Sequence, residues 1–502
     1  MADETQQALK TEEKTETIDL KRFLSSMRLG TEIAEPVPMV QDNLQTVREN
    51  VSDEERFISG LAALLYNIDS SAGRLDKGMI VDVIGRIDEA VNDQLNEIIH
   101  HENFKQMESN WRSLYDLIQN TNFKADVMID ILDVSKDELY EDFESNGVDI
   151  TGSALFKKVY VAEYDQYGGK PIGSIIGLYD FAHTPKDEYW LKTMGKIAAA
   201  SHAPFIGSVS PKFFGCDSIE ELSAIKDLEG LMNHPKYGSW NKLRDSEVAA
   251  YLGLTLPNYV LRLPYDPETN PTGDLPFKEK VRGDNNADYL WGSSAILFAQ
   301  NMVRSFVQSG WCQYLRGPKG GGLVTGLPVH TFNLRGEEEL KIPVEMAIPD
   351  YRELEFANAG FIPLIYRKGT ADACFFSSQS LKRSKKFKDP KDTENAQLVT
   401  NLSYTYSVTR IAHYVKCIMR DNIGSSADAD YIKQSLESWL FKYVTTVVNP
   451  DDLTLRFYPF KAASVEVAPR EGMIGWYDCS ISILPHIQFE GMDVELKLDA
   501  RL

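Results

Sequence analysis

One stretch constrains the fold more than any other: Asp284 to Phe332, DNNADYLWGSSAILFAQNMVRSFVQSGWCQYLRGPKGGGLVTGLPVHTF. Asp288 stands where an N-cap would stand, and from Trp291 the positions Trp291, Ala295, Phe298, Met302 and Phe306 recur at helical spacing. Ile296, Ala299, Val303 and Val307 widen the stripe around most of the circumference. A helix apolar on so much of its surface is buried, not laid on top. Gly310 is placed to stop it, Trp311 to Leu315 reads as a strand, and Gly317-Pro318 reads as a turn. Gly320, Gly321 and Gly322 let backbone pass close to a neighbour, and Leu323 to Phe332 reads as extended chain. A buried helix followed by strands is the centre of a packed α/β layer.

The rest of the chain is arranged around that layer. Residues 1–52 read as a flexible segment whose one patterned part is IDLKRFLSSMRLG, with Leu20, Phe23, Leu24 and Met27 on one face of a short amphipathic helix. Residues 53–134 read as a helical subdomain. One helix carries Phe57, Leu61, Leu64 and Leu65, the next runs from Asp76 to His100, and a third passes through Trp111, Leu114, Leu117 and Ile118. The segment 125–134 alternates weakly and reads as the first strand. From 135 to 390 strands and helices alternate: Ile172–Tyr179, the helix Glu188–Ser201, Pro204–Val209, Ile342–Ile348 and Phe361–Ile365, closed by the basic loop Lys382–Lys391. Residues 391–502 read as a helix Asp392–Arg420, a helix capped by Ser426, and a β-rich end with strands Ala463–Val467, Tyr477–Leu484 and Val494–Leu498. The class is therefore mixed α/β (α+β).

Charge narrows the partners. The balance is 53 basic against 74 acidic residues, a net charge of −21, which argues against a sequence-independent nucleic-acid binder and against binding an anionic membrane. Five scattered cysteines without a C-x-x-C pair read as reduced thiols in a cytoplasmic protein. The N-terminus shows no basic-then-apolar leader, and no apolar run is long enough to span a bilayer.

Catalytic patterns are not evident. Gly168-Gly169-Lys170-Pro171 and Pro318-Lys319-Gly320 resemble phosphate loops but lack the G-x-x-x-x-G-K-[ST] spacing and its hydroxyl. His100-His101-Glu102 is not H-E-x-x-H, and there is no G-x-S-x-G. His202, His330 and His413 sit in apolar contexts and read as core or interface histidines. The expectation is no cofactor, no metal and no enzyme.

A resemblance complements this reading. The pattern WC-x-x-x-RG-x-x-GGGLV-x-GLP-x-HTF at Trp311–Phe332 resembles the large subunit of the type VI secretion contractile sheath. QLNEIIHHENFKQMESNWRSL, ALFKKVYVAEYDQYGG, AAASHAPFIGSVSP, YLGLTLPNYVLRLPY, AGFIPLIYRKGTADACFFSSQS and RIAHYVKCIMRDNIGS agree in order, from about residue 56 onward. The resemblance implies a tail-sheath-like fold and an obligate small sheath subunit. Heterodimers would polymerise helically around an inner-tube protein, upon a baseplate, and contract to propel the tube. It implies strand exchange between neighbours through the C-terminal strands, here Ser464, Val465, Glu466 and Val467 with Ser480, Ile481, Ser482 and Ile483. It implies a tube-contacting helix in the region of Ser426–Val444, whose polar face carries Gln434, Glu437, Ser438 and the odd aromatic Phe441. It also implies a disassembly AAA+ ATPase gripping an N-terminal helix, here the one bearing Leu20, Phe23, Leu24 and Met27. Two alternatives remain open at this point: the sheath of another contractile or phage-tail-like particle, and a cytosolic α/β enzyme.

Overall fold

The computed structural model describes residues 77–486, apart from 274, 386 and 448. The expected elements at residues 1–76 and 487–502, including the helix of Leu20, Phe23, Leu24 and Met27 and the strand Val494–Leu498, lie outside the described residues. The chain divides into two units, Met1–Lys105 with Pro264–Val281, and Gln106–Leu263 with Arg282–Leu502.

In the first unit, helix α1 (Lys77–His100) is tied to the segment 264–281 by one buried amide. Asn96 is 5% exposed; its Nδ2 donates to Lys278 O at 3.1 Å and its Oδ1 accepts from Lys280 N at 2.7 Å. That pair of bonds satisfies an extended backbone that has no strand neighbour there, so the Asn96 amide does the work of one residue of a ladder.

The second unit is built on strands β1 (Ile175–Phe181), β2 (Phe205–Val209), β3 (Leu252–Leu256), β4 (Tyr259–Val260), β5 (Trp291–Gly292), β6 (Leu323–Val324), β7 (His330–Leu334), β8 (Glu337–Lys341), β9 (Ile362–Tyr366), β10 (Ala373–Phe375), β11 (Phe460–Pro469) and β12 (Tyr477–Pro485). A six-stranded sheet has the order β1-β2-β3-β9-β10-β6. Its first four strands run parallel, and β10 is antiparallel to both neighbours. Parallel strands are covered on both faces, and here the side chains divide accordingly. Phe205, Leu252, Leu254 and Ile365 join one core with Trp190, Phe213 and Trp240. Ile206, Ile362, Leu364 and Phe375 join a second with Phe298, Leu402 and Tyr406.

The helices follow from their caps. Helix α2 spans Glu102–Gln119 and helix α3 spans Pro185–Ser201. Thr184 caps α3 by accepting from Asp187 N, Pro185 sits in its first turn, and His202 ends it in the left-handed region at φ 53. Helix α4 (Ser294–Ser309) is the expected buried helix: Ala295, Ile296, Phe298 and Ala299 are buried, and Gly310 ends it at φ 78. It begins later than expected. Ser293, not Asp288, is the cap, because the Asp288 carboxylate is occupied by Arg282 N and Asn285 Nδ2 in the preceding loop. The expected strand Trp311–Leu315 does not form; Ser305 Oγ donates to Trp311 O at 2.7 Å and accepts from Tyr314 N, holding that run against α4 instead. The glycines do allow close approach, since a Cβ on Gly322 would stand 2.3 Å from Phe375 O.

Other expected elements are corrected. The segments 125–134 and Ile342–Ile348 form no strand, the latter making a single Tyr259–Val344 backbone bridge while Val344, Met346 and Ile348 pack into the two cores. The long helix Asp392–Arg420 is two, Pro390–Val399 and α5 (Leu402–Asp421), because Asn401 breaks it and caps the second piece through Ser403 N. The loop Lys382–Lys391 is anchored at its start, where Lys382 is buried and paired with Glu247. Trp111, expected inward on α2, is 66% exposed, while Leu117 is buried.

The histidines pack as expected. On α5, His413 Nε2 lies 3.0 Å from Ser201 O, with its ring beside Tyr164 and His202. Burial pushes its pKa from 6.5 down to about 4, the neighbouring His202, Arg410 and Lys416 add to that, and the Ser201 carbonyl pulls the other way. The unfolded chain therefore takes up a proton that the folded chain refuses. The resulting stability is intact above pH 6.5 and is lost as pH falls toward 4. The full loss is about 3 kcal/mol. Denaturation of wild type and His413→Gln at pH 7 and pH 5 is expected to give a smaller stability drop for the variant; equal drops would refute the assignment.

Candidate assembly surfaces

Helix α6 (Ala429–Leu440) starts at Asp428, which accepts from Tyr431 N; the expected cap Ser426 lies outside it. Ile432, Leu436 and Leu440 are buried, as their spacing implies, and they meet the hairpin formed by β11 and β12. That hairpin is antiparallel with Ser464 opposite Ser482, Val465 opposite Ile481 and Glu466 opposite Ser480. Period-2 alternation puts Val465, Val467, Ile481 and Ile483 toward α6, and Ser464, Glu466, Ser480 and Ser482 outward into solvent. The two strands form a separate two-stranded sheet; among the described residues the outer edge of β12 has no strand partner, and that of β11 is bridged only at its first residue, Phe460, to Val444. Such edges are ready templates for another chain. The two sets of residues expected to mediate exchange are thus paired with each other within one chain.

Trp311 joins this module to the central stretch. It is 3% exposed, with ring centroids 5.1 Å from both Tyr443 and Phe460.

The outer face of α6 carries Gln434 and Ser438, both exposed, and Phe441, 49% exposed at its C-terminal end. Glu437 is only half-buried beside Lys433, at 3.9 Å, and Tyr431 extends the exposed stripe by a turn. Three of the four expected residues are therefore freely presented, and the fourth partly.

Two further surfaces escaped the sequence reading. On α2, Met107, Trp111, Tyr115 and Ile118 fall at helical spacing and are exposed. The helix is fixed from behind. Tyr259 and Gln300 donate to Asp116 at 2.8 and 2.9 Å, and Glu108 meets Arg262 at 2.8 Å and Arg112 at 2.6 Å. Burial pushes Glu108 up, but the two guanidiniums outweigh it and hold the carboxyl below its ordinary value. At the hairpin turn, Met473, Ile474 and Trp476 are exposed as well. Contiguous apolar stripes of this kind mark interaction surfaces. The signal available in the sequence was the aromatic at every fourth position of α2, which a core assignment absorbed.

Among the described residues, no group of three or more His, Cys, Asp or Glu is placed to hold a metal ion, and no helix is long and apolar enough to cross a membrane. All five cysteines are free, and burial pushes the Cys312 and Cys374 thiols up to about 11 and about 12.

A hairpin with open edges packed on α6, beside exposed apolar stripes, defines a structural module that offers surface to other chains. Residues 81–382 match the EvpB/VC_A0108 tail sheath N-terminal domain, and residues 391–502 match the tail sheath gpW/gp25-like domain of the same group. The type VI secretion system sheath protein TssC1 of Pseudomonas aeruginosa is 40% identical over 426 residues, which is 84% of this chain and 86% of the relative. Among solved structures, a chain of the anti-feeding prophage baseplate aligns with a TM-score of 0.35 at 10% identity, covering 62% of this chain and 66% of its own. A chain of the contracted anti-feeding prophage helical sheath aligns with a TM-score of 0.29 at 11% identity, covering 63% and 68%. The chain belongs to the type VI secretion tail-sheath family and is a structural subunit of the contractile sheath.

Proposed function

We propose that this chain is the large sheath subunit acting in the cytoplasm. It pairs obligatorily with a small sheath subunit, polymerises helically on a baseplate around an inner tube, and drives that tube outward on contraction. The observation that carries the reading is the β11–β12 hairpin, whose outer edges have, among the described residues, no partner beyond the single Phe460–Val444 bridge at the start of β11. A strand from a neighbouring subunit adding to such an edge is β-augmentation, and repetition by a rotation that does not close gives a tube. In this reading Ser464 to Val467 and Ser480 to Ile483 supply the receiving ladder, while Gln434, Glu437, Ser438 and Phe441 face the inner tube. The reading involves no enzyme activity and no cofactor. The N-terminal residues Leu20, Phe23, Leu24 and Met27 would serve a disassembly AAA+ ATPase after contraction.

Expression with and without the small subunit tests this. Alone, the chain is expected in the insoluble fraction, since free hydrophobic edges aggregate. Together, the pair is expected to give long tubules by negative-stain microscopy, and removing residues 1–30 should leave tubule formation and contraction intact. A stable soluble monomer would count against obligate pairing, and loss of tubules on that truncation would make the N-terminal segment structural.

A further inference from the structure

Three cationic side chains line one cavity of about 210 Å³ formed by the end of α4, the glycine-rich turn and the short helix Asp452–Phe457. Arg304 Nη2 donates to Leu323 O at 2.6 Å and to Asn301 Oδ1. Arg456 donates from Nη1 to Gln308 Oε1 at 2.8 Å and from Nη2 to Lys319 O at 2.7 Å, with its guanidinium 4.9 Å from the Tyr314 ring centroid. Lys319 is exposed at the mouth. Every acceptor these arginines use is neutral, and each guanidinium keeps unused N–H donors. No lining residue is acidic, and among the described residues none of the three cations is ion-paired; Asp452, one turn before Arg456, is exposed and pairs with neither arginine. In a chain with 74 acidic residues, such a concentration of unpaired positive charge in a cleft is a field aimed at an anion.

The same chain carries a matching anion. The β7–β8 hairpin turns at Arg335 and Gly336, with φ 54 and 92, a two-residue turn with both centres left-handed. Beyond it, Glu337, Glu338 and Glu339 are all exposed, and none has an ion pair or side-chain hydrogen bond among the described residues. The base of the hairpin is held firmly, with His330 Nδ1 at 2.7 Å from Tyr289 Oη and Lys341 bonded to Asn286.

We propose that the Glu337–Glu339 edge of one copy docks into the Arg304–Lys319–Arg456 cavity of the next copy in the sheath. The inference rests on the sheath reading above. An open helical polymer needs two different, complementary patches on each subunit, and these two patches are complementary in charge and unsatisfied in the single chain. Guanidinium–carboxylate pairs are directional as well as attractive, so the contact also fixes register.

The test uses the full chain co-expressed with the small subunit, read by tubule length in negative stain and by recovery of the heterodimer. Lys319→Glu with Arg456→Glu, and separately Glu337→Lys with Glu338→Lys and Glu339→Lys, are each expected to shorten tubules about tenfold at unchanged heterodimer yield. Combining the two sets restores opposite signs across copies and is expected to restore length. Lys319→Gln, at an exposed position, gives a milder shortening without risk to the fold. Wild-type-length tubules from either charge-reversed set overturn the contact. Defects in the cavity set alone, or no rescue in the combination, show that the glutamate edge is not the occupant and likewise overturn it. If the wild-type pair forms no tubules, the sheath reading itself has failed; if it forms them and the variants match it, only this contact has.

Discussion

Trp311→Ala is expected to uncouple the C-terminal module from the rest of its unit and to abolish sheath assembly. The side chain is 3% exposed and touches Tyr443 at the end of α6, Phe460 at the start of β11 and Arg410 on α5, with ring and guanidinium separations of 5.1 to 5.3 Å. It belongs to the cluster of Ile411, Ile432, Leu436, Leu440 and Val465, which is separate from the two cores flanking the main sheet. Truncating a buried tryptophan costs about 3–5 kcal/mol, most of it where the cavity opens. The loss should therefore fall on α6 and the hairpin, not on the parallel sheet. Amide exchange is the measurement. Residues 429–485 should exchange faster by orders of magnitude while β2 and β3 keep their protection, because sub-global opening follows the local core. Trp311→Phe should recover part of the effect. Uniform exchange across the unit, or none of it changed, would show that the module does not hang on this residue.

What the sequence could and could not show divides by how local the cause is. The stripe of α4 was legible because its core-facing residues Ala295, Phe298 and Met302 recur at helical spacing, although Arg304 and Gln308 leave its second half exposed on one side, and Gly310 marked its end. The hairpin was legible from its period of 2: Val465, Val467, Ile481 and Ile483 alternate with exposed serine and glutamate neighbours. Trp311–Leu315 was misread as a strand because its apolar residues split between two cores, Trp311 in a cluster about a hundred or more residues ahead and Leu315 in the core beside α4, and its backbone is satisfied by the Ser305 side chain in place of a ladder. The cap of α4 slid from Asp288 to Ser293 because both residues can cap, and the loop bonds that Asp288 makes to Arg282 and Asn285 decide between them. Trp111 was assigned inward by type alone, although Leu117 on the same helix is the side chain that reaches the core. The basic cavity was beyond reach altogether, since Arg304, Lys319 and Arg456 come from three separated segments and only Lys319 stood in a pattern that drew attention.

Phe441→Asp is expected to preserve folding and pairing with the small subunit while preventing sheath growth around the inner tube. The residue follows the last buried position of α6, Leu440, so its side chain leaves the core at the point where the helix tightens into the turn Phe441–Tyr443. It is 49% exposed and makes no ring contact among the described residues, whereas Trp439 and Tyr443, on the other face, pack edge-on against each other, Trp439 also against Tyr414 and Tyr443 against Trp311. Removing it therefore opens no cavity, and a surface change of this kind alters stability by only about 0.5 kcal/mol. Ser438 and Gln434 lie on the same exposed stripe one and two turns earlier, and Tyr431 begins it. An aromatic amid small polar groups has the composition of an interface anchor, worth about 1–2 kcal/mol per contact. One such contact is weak enough to release when the sheath contracts; many copies along a tube make the assembly tight through avidity. A carboxylate at the same position adds desolvation and repulsion at every copy, so the effect on growth should far exceed that on the single chain. Reconstitution with inner-tube protein, followed by imaging, reads this directly: heterodimer yield and melting temperature unchanged, tube-filled sheaths absent or very short. Sheaths of wild-type length on the tube, or a variant that cannot be recovered folded, would assign this face to something other than the tube.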